Sequence, residues 1–396
     1  MSRIEEMIRE LCPNGVEYKA LGEIGTFVRG NGLQKKDFTD EGVGCIHYGQ
    51  IYTYYNLFAS QTKSYVDPML ARKLTKVKTG DIIIACTSEN IEDVCKAIAW
   101  LGEDEIVTGG HACVFSHEQN PKYISYFFNT DNFFQQKKKY ARGAKVVDIK
   151  VGDIAKIEIP VPPLAIQNEI VNILDKFTEL EAELEAELEA RRKQYEYYRN
   201  KLLNFNEFTP PQKIEVKWLI LKNICDCGIG SKPACIMNDN TLFEYINAGT
   251  TNSGYTTESN CDGDTITTPS RGQGGIGFVG YQAKPFWLGP LCYKIRSKDP
   301  NVLTKYIFYT LVANNNKILS LKKEGGTPAL NLSDLQMIVI PIPPMEEQQR
   351  IVAILDKFET LVTDISEGLP AEIAARRQQY EYYRDKLLGF GRVVSG

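Results

Sequence analysis

The stretch ELEAELEAELEA, Glu179 to Ala190, sits inside an unbroken helical pattern that runs from Ile166 to Leu203. Apolar residues fall at Ile166, Ile170, Ile173, Phe177, Leu180 and Leu184, the alternating four-three step of a coiled-coil seam, and no Gly or Pro interrupts them. At about 1.5 Å per residue such a helix is roughly 57 Å long, more than the width of a small domain. The pattern therefore predicts a long spacer helix that needs a partner.

The same chain supplies a candidate partner, because the segment recurs. IPVPPLAIQNEIVNILDKFTEL, Ile159 to Leu180, aligns with IPIPPMEEQQRIVAILDKFETL, Ile340 to Leu361. RRKQYEYYRNKLL, Arg191 to Leu203, aligns with RRQQYEYYRDKLL, Arg376 to Leu388, and only Lys193/Gln378 and Asn200/Asp385 differ. The first pair is offset by 181 and the second by 185, so the distal copy holds four more residues between its matching blocks. The proximal seam continues through Leu188, Tyr195, Tyr198 and Leu202. The distal seam steps through Ile365, Leu369, Ile373, Tyr380, Tyr383 and Leu387, which reads the extra four as a stutter that unwinds a supercoil locally. Gly368 and Pro370 lie in that copy, and Pro removes a helical hydrogen bond, so a kink or short break is expected near Ser366 to Pro370.

A lead-in also repeats: Val16 to Ile24 matches Val216 to Ile224 in its apolar positions. The expected architecture is α+β, two mixed α/β domains separated by two long antiparallel helices that form a coiled coil, with a pseudo-twofold internal repeat. The boundaries read as an N-terminal helical segment over 1–20, a first domain over 21–158, the central helix over 159–205, a second domain over 206–339 and the distal helix over 340–390.

Bulk properties narrow the class. A chain of 396 residues with 43% hydrophobic content has material for two or three cores. No apolar run reaches the ~20 residues of a membrane span, and Met1 to Leu11 is charged and amphipathic, unlike a secretion signal, so a cytoplasmic protein is expected. Ten cysteines are scattered without a CxxC pair and only three histidines accompany them, which argues for buried thiols rather than a zinc site. The net charge of -4 hides local patches, since six glutamates lie in the ELEA tract alone.

Within the domains, Asp81 to Ala85 and Ala112 to Phe115 read as strands, and a strand follows Asp262-Gly263-Asp264. Lys122 to Tyr140 and Lys305 to Leu321 read as helical, with Tyr123, Tyr126, Phe127, Phe133 and Phe134 forming a core-directed aromatic face. The Pro162-Pro163, Pro210-Pro211 and Pro343-Pro344 pairs read as stiff domain junctions. Apart from its seam and lead-in the two domains share little sequence.

No catalytic constellation emerges. Gly272-Gln273-Gly274-Gly275-Ile276-Gly277 spells GxGxxG, yet Phe278-Val279-Gly280-Tyr281 behind it favours a strand, whereas a dinucleotide loop opens a helix. A hairpin tip is the better reading. Gly228 to Lys232 lacks the spacing of a phosphate loop, and no GxSxG, HExxH or Asn/Asp-Pro-Pro-aromatic motif occurs. Polar, Gly-flanked loops are better stocked for DNA, where Arg, Asn and Gln read base edges and Lys holds phosphates. The candidates are Arg29, Asn31, Gln34, Lys35, Lys36, His47, Gln50, Arg142 and Lys145 in the first domain. In the second they are Ser231, Lys232, Asn252, Ser270, Arg271, Gln273, Lys322, Lys323 and Thr327.

A coiled-coil seam needs only its apolar positions repeated, yet residues off the seam recur as well. Arg191, Arg192, Tyr197 and Arg199 return as Arg376, Arg377, Tyr382 and Arg384. Repeated surface implies a repeated partner, so these eight are candidate docking residues for two copies of one protein.

With its paired variable domains, its Pro-Pro, ILDKF and RRxQYEYYRxKLL helices and its three ELEA units, the chain resembles the specificity subunits of type I restriction-modification systems over its whole length. The ELEA units look like the tetrapeptide repeats of the family's IC class, whose copy number sets the gap between half-sites. The resemblance implies a non-catalytic subunit that reads a bipartite, asymmetric DNA site and recruits two methyltransferase subunits together with restriction/translocase subunits. It implies no cofactor on this chain, with S-adenosylmethionine, ATP and Mg on the partner subunits. A coiled-coil adaptor without a DNA role would explain the helices but not two polar, loop-rich domains. A self-sufficient methyltransferase-nuclease would need the missing Pro-Pro motif.

Overall fold

The computed structural model describes residues 3–143, 145–205, 214–272, 274–323, 325, 327–364 and 366–391. The Pro210-Pro211 junction, Gln273 and Ile365 lie outside them. Two compact units result: one combines residues 1–183 with 373–396, the other spans residues 184–372. Each unit takes one half of the long helix Leu164–Leu203 and one of the two distal helices, Leu369–Leu388 in the first and Met345–Thr363 in the second.

In the first unit a five-stranded sheet runs in the order Gly25–Arg29, Ala112–His117, Ile82–Ala85, Ala97–Trp100, Phe58–Ala59. Ile82–Ala85 is buried at every position, as a strand covered on both faces must be, and its run of three Ile is the sequence trace of that burial. A second sheet of five short strands includes Val43–Ile46 lying parallel to Ile106–Thr108. The second unit keeps the central part of this plan. Cys225–Ile229, Cys292–Ser297 and Thr265–Pro269 pair antiparallel in that order, and Phe243–Ile246 runs parallel to Trp287–Leu288. The lead-ins are strands as well: Tyr18–Ala20 pairs with Glu158–Pro160, and Lys217–Ile220 with Val339–Ile342.

The predicted helical regions are each two helices rather than one. Pro121–Phe127 is followed by Asp131–Lys138, and Thr304–Ala313 by Asn315–Ser320. Asn120 caps the first of these through Oδ1, which accepts from the Lys122 and Tyr123 amides at 2.9 and 3.1 Å, with Pro121 preset for the first turn. Thr130 then starts the next helix, its Oγ1 accepting from the Phe133 amide at 3.2 Å. Tyr123, Tyr126, Phe127 and Phe133 are fully buried, as their spacing implies.

These helices dock on the spacer through a contact set that occurs twice. Tyr123 donates to the Pro160 carbonyl at 2.9 Å and Tyr306 to the Pro341 carbonyl at 2.9 Å. Asp175 accepts from Lys122 Nζ at 2.6 Å and from Tyr126 at 2.7 Å; Asp356 accepts from Lys305 Nζ at 2.9 Å and from Tyr309 at 2.5 Å. The buried Gln167 donates to the Pro162 carbonyl at 2.8 Å and Gln348 to the Pro343 carbonyl at 2.9 Å, so each Pro-Pro junction is pinned to the first turn of its helix. The bonds to Asp175 and Asp356 are charge-assisted and contribute on the order of 1.5–3 kcal/mol each. The sequence carries this motif as Lys-Tyr-Ile-x-Tyr at Lys122 and again at Lys305, a repeat that the apparent divergence of the domains conceals.

The helices pair inside each unit, and in the first the order of contacts is antiparallel. In the first, Phe177 meets Tyr383 while Glu181, one turn on, meets Arg377, one and a half turns back. In the second, Tyr195 and Tyr198 meet Phe358. The seam residues Ile166 and Ile170 are fully buried and Leu184 nearly so. Leu174 and Val171 lie off the seam yet are 0% and 5% exposed, because the domain core covers a second face of this end of the helix.

The distal copy is broken, and the stutter reading is overturned there. Helix ends at Thr363, Asp364 adopts an extended conformation, and helix resumes at Leu369. Asp364 accepts from the Ser366 amide and hydroxyl at 2.7 and 2.6 Å and from the Glu367 amide at 3.2 Å, closing a local turn that outcompetes the helix. The four extra residues therefore sit in a turn and not in a supercoil. Pro370 falls in the first turn of the following helix, where its missing N–H costs nothing.

Candidate nucleic-acid platforms and docking faces

In the first unit the loops at one end of the main sheet converge. Gly30 follows the strand Gly25–Arg29 and approaches so close to the Gly109 carbonyl that a Cβ there would stand 1.9 Å away. This packs the Gly30 to Leu33 loop against Gly109-Gly110-His111. The His111 Nδ1 lies 3.2 Å from Thr87 Oγ1, and its ring sits 4.8 Å from Tyr48. Beyond Thr87, the strand Thr87–Ser88 pairs with Val147–Asp148, and Asp148 exchanges both main-chain hydrogen bonds with Arg142 at 2.8 and 3.1 Å. A polar platform thus runs from Lys35 through Tyr48, His111 and Thr87 to Arg142 and Lys145.

The predicted contact residues of this unit divide in two. Arg29, Gln34, Lys35, Lys36, Arg142 and Lys145 are exposed. Asn31 is exposed but occupied, its amide donating to the Lys73 carbonyl at 3.0 Å and its oxygen accepting from the Thr75 amide at 3.0 Å, which holds the loop in place. His47 and Gln50 are corrected: both are buried and form a helix cap. His47 Nδ1 accepts from the Gly49 amide at 3.1 Å, Gln50 Oε1 accepts from the His47 amide at 2.9 Å, and Gln50 Nε2 donates to Ser64 Oγ at 2.7 Å. Burial, reinforced by the charges of Lys35 and His111, lowers the His47 pKa and keeps its ring neutral. The pair positions Tyr48 beside His111, whose partner is Thr87; the last two carry no motif in the sequence.

The second unit repeats the arrangement with other residues. Gly230 approaches the Leu288 carbonyl, Ser231 donates its amide to Leu288 at 3.0 Å, and Trp287 Nε1 donates to the Ser231 carbonyl at 2.8 Å. Asn247 Oδ1 accepts from the Leu291 amide at 2.9 Å, fixing the neighbouring loop. Arg271 bridges to Ala329, and Ala329 exchanges main-chain hydrogen bonds with Lys323 at 2.8 and 3.2 Å, the counterpart of the Arg142 and Asp148 exchange. The basic residue carries an ion pair in both: Arg142 to Asp153 at 4.0 Å, Lys323 to Asp334 at 3.2 Å.

Ser231, Lys232, Arg271, Lys323 and Thr327 are exposed, and Lys322 is half-buried. Asn252 donates to the Tyr255 hydroxyl at 3.1 Å and lines a cavity of about 460 Å³ with Thr250, Phe278 and Gln282. Ser270 is corrected, being 4% exposed with its main chain committed to Leu291 and Leu330. The glycine stretch from Gly272 to Gly277 connects two paired strands, Thr265–Pro269 and Gly280–Gln282, in keeping with a hairpin connection; the strand starts at Gly280, two residues later than the sequence suggested. Among the described residues no group of three or more potential ligands could hold a metal ion, and no helix is long and apolar enough to cross a membrane.

The repeated helical surfaces are matched in detail. Tyr197 and Tyr382 are 59% and 62% exposed, each edge-on to the next tyrosine at 5.4 and 5.3 Å and capped by Lys201 and Lys386 at 5.6 and 5.9 Å. Two large exposed rings, held rigidly on two equivalent helices, suit anchors for a partner. Arg199 and Arg384 lie over Tyr195 and Tyr380 at 5.4 and 5.5 Å. Arg192 is exposed; Arg191 is tied to Glu187 and Gln194, Arg376 to Gln379, and Arg377 to Glu181.

The family described as type I restriction modification DNA specificity domain matches residues 13–190 and again residues 215–375. The specificity subunit of the Escherichia coli type I restriction enzyme EcoR124I/EcoR124II is 37% identical over 302 residues, 68% of this chain and 70% of that protein. A putative type I specificity subunit of Mycoplasma pneumoniae, S.MpnORF615P, is 34% identical over 239 residues, 59% of this chain and 93% of that protein. Among solved structures, the S subunit of a type I system from M. genitalium superposes with a TM-score of 0.60 at 18% identity, covering 94% of this chain and 96% of that one. A chain from a structural study of type I R-M complex assembly gives 0.64 at 17% identity, covering 94% and 97%. These two are likenesses of fold, and the sequence matches carry the family: the chain belongs to the type I restriction-modification DNA specificity family and carries its domain twice.

Proposed function

We propose that each unit reads one half of a bipartite, asymmetric DNA site through its loop platform, and that the repeated helical surfaces dock two methyltransferase subunits, with restriction/translocase subunits joining them. The observation that carries this is the pairing of likeness and difference. The docking surfaces at Tyr197 and Tyr382 agree ring for ring, while the platforms share a scaffold and differ in side chains at matching strand register: Tyr48, His111 and Thr87 against Ala248, Leu291 and Arg271. Identical surfaces suit identical partners, and different platforms suit different sequences. Of the predicted DNA residues, the exposed set Arg29, Lys35, Lys36, Arg142, Lys145, Lys232, Arg271, Lys323 and Thr327 takes the contact role, and His47, Gln50 and Ser270 build the platforms.

The chain supplies the address and its partners the chemistry. S-adenosylmethionine, ATP and Mg belong to the partner subunits, and each methyltransferase flips an adenine within its half-site. Such an assembly works on chromosomal DNA in the cytoplasm. The number of ELEA units at Glu179 to Ala190 sets the preferred gap between half-sites.

Mapping of genomic methylation in cells with and without the chain tests the reading. Deletion of Glu183 to Ala186 removes about 6 Å of helix and is expected to shorten the preferred gap while both half-sites stay the same. Altered half-sites with the old gap, or no methylation dependent on the chain, would refute it.

A further inference from the structure

In the first unit Val146 is a large apolar side chain left 60% exposed on the platform. Its backbone is tightly constrained. Gly143 turns the chain at a φ of 105°, and a Cβ at Gly143 would stand 2.0 Å from the Val146 carbonyl, so the turn admits Gly alone. On one side Arg142 is locked to Asp148 by two main-chain hydrogen bonds. On the other, Val147 is 5% exposed in the core and pairs with Ser88. Val146 lies in the bend that enters this strand, with Val147 anchored in the core beside it and its own side chain facing solvent. A β-branched side chain in a fixed backbone has few rotamers and loses little entropy when something packs on it.

The surroundings say what that something is. Lys145 precedes Val146 and Arg142 stands at the base of the same loop, both exposed, as suits phosphate contacts on either side of an apolar tip. Counted from the matched clasp, four residues beyond Arg142 and four beyond Lys323, the second unit places Thr327 at this position, also exposed and also carrying a methyl on its Cβ. In the major groove one base presents an apolar group, the 5-methyl of thymine.

We propose that Val146 packs on the 5-methyl group of a thymine in the half-site read by the first unit, and so is a specificity-determining residue. This rests on the reading of the chain as a DNA specificity subunit. A wedge driven between base pairs would also use an exposed apolar residue, but stacking disruption does not depend on a 5-methyl group.

The test uses the chain assembled with its methyltransferase subunits and competition binding to duplexes bearing the mapped site. Each thymine of the first half-site, on either strand, is replaced in turn by deoxyuridine, which removes the methyl and nothing else. One position is expected to weaken binding by about fourfold, the value of one buried methyl-sized group. Val146→Ala is expected to lose a similar factor on the thymine duplex and to become indifferent to uracil at that position, while discrimination in the second half-site is unchanged. Its exposure leaves folding and subunit co-purification intact. Tight binding with indifference to uracil at every position, an undiminished thymine preference in Val146→Ala, or a first half-site without thymine overturns the assignment alone. Failure to bind any duplex overturns the parent reading as well.

Discussion

Phe177 and Tyr383 stack with ring centroids 5.6 Å apart and planes 26° from parallel, and Phe358 and Tyr198 repeat the contact at 5.7 Å and 25°. Each pair joins one half of the long helix to a distal helix within its own unit. Offset-stacked rings contribute about 0.5–1.5 kcal/mol beyond the area they bury. Phe177→Ala and Tyr383→Ala are each expected to destabilise the first unit by about 1–3 kcal/mol. The double variant should cost less than the sum by the stacking energy, and the same cycle on Phe358 and Tyr198 should return a similar coupling. Denaturant unfolding of the four variants in each cycle measures it, and additive losses in either would deny that the stack holds the helices together.

Tyr309 and Tyr126 make the same contact with different company. Tyr126 reaches Asp175 at 2.7 Å, whereas Tyr309 reaches both Asp356 at 2.5 Å and Glu359 at 2.7 Å. Removing either hydroxyl breaks a charge-assisted bond between domain and spacer, so Tyr126→Phe and Tyr309→Phe should each lose about 1.5–3 kcal/mol. The second is expected to lose more, because its single hydroxyl proton lies between two like-charged carboxylates, of which Asp356 keeps Lys305 while the pair loses the proton between them. Thermal melts ranking them in the other order would contradict this.

One of the two differences between the repeated RRxQYEYYRxKLL blocks has a structural consequence. Arg384 Nε donates to Asp385 Oδ1 at 3.0 Å, while the buried Nε of Arg199, followed by Asn200, has no hydrogen-bond partner among the described residues. Asp385→Asn is expected to lower stability and Asn200→Asp to raise it, by about 0.5–1 kcal/mol each, since part-exposed pairs are weak. Melting temperatures that move in the same direction for both would show that the pair does not matter.

His117 gives the first unit a pH dependence. Its Nδ1 accepts from the Gln119 amide at 3.1 Å, its Nε2 is buried without a partner among the described residues, and burial pushes its pKa down to about 4. The unfolded chain protonates this ring near pH 6.5 and the folded one does not until about pH 4. Stability is therefore fully present above pH 6.5 and is lost as pH falls from there towards 4, by up to about 3 kcal/mol. In His117→Leu this part of the slope should vanish, as urea midpoints at pH 7, 6 and 5 would reveal. An unchanged slope would place the titration elsewhere.

Much of this was legible in the chain itself. The seam from Ile166 to Leu202, the duplicated blocks and the break near Pro370 follow from local periodicity and local chemistry, which a sequence displays directly. The twin platforms were half legible. Residue type picks out Arg29, Lys35 and Arg142, which are exposed, but it does not separate a free side chain from a brace, and Gln50 and Ser270 are buried. His111 and Thr87 are silent in the sequence because they lie far from each other and from Tyr48 in the chain, and the three meet only when two strands and a helix cap bring them together.

By itself the sequence determined that there are two related halves, that one long helix joins them, and that residues off its seam recur with those on it. These are statements about period and recurrence, which need no third dimension. Only tertiary structure decided which distal helix each half of the spacer takes as partner, that the four extra residues form a turn held by Asp364, and that Lys-Tyr-Ile-x-Tyr is the joint between domain and spacer. The helix pairing and the joint depend on contacts between residues about two hundred and about fifty positions apart, and the Asp364 turn on exposed local bonds that win over the helix only once both neighbouring helices are docked.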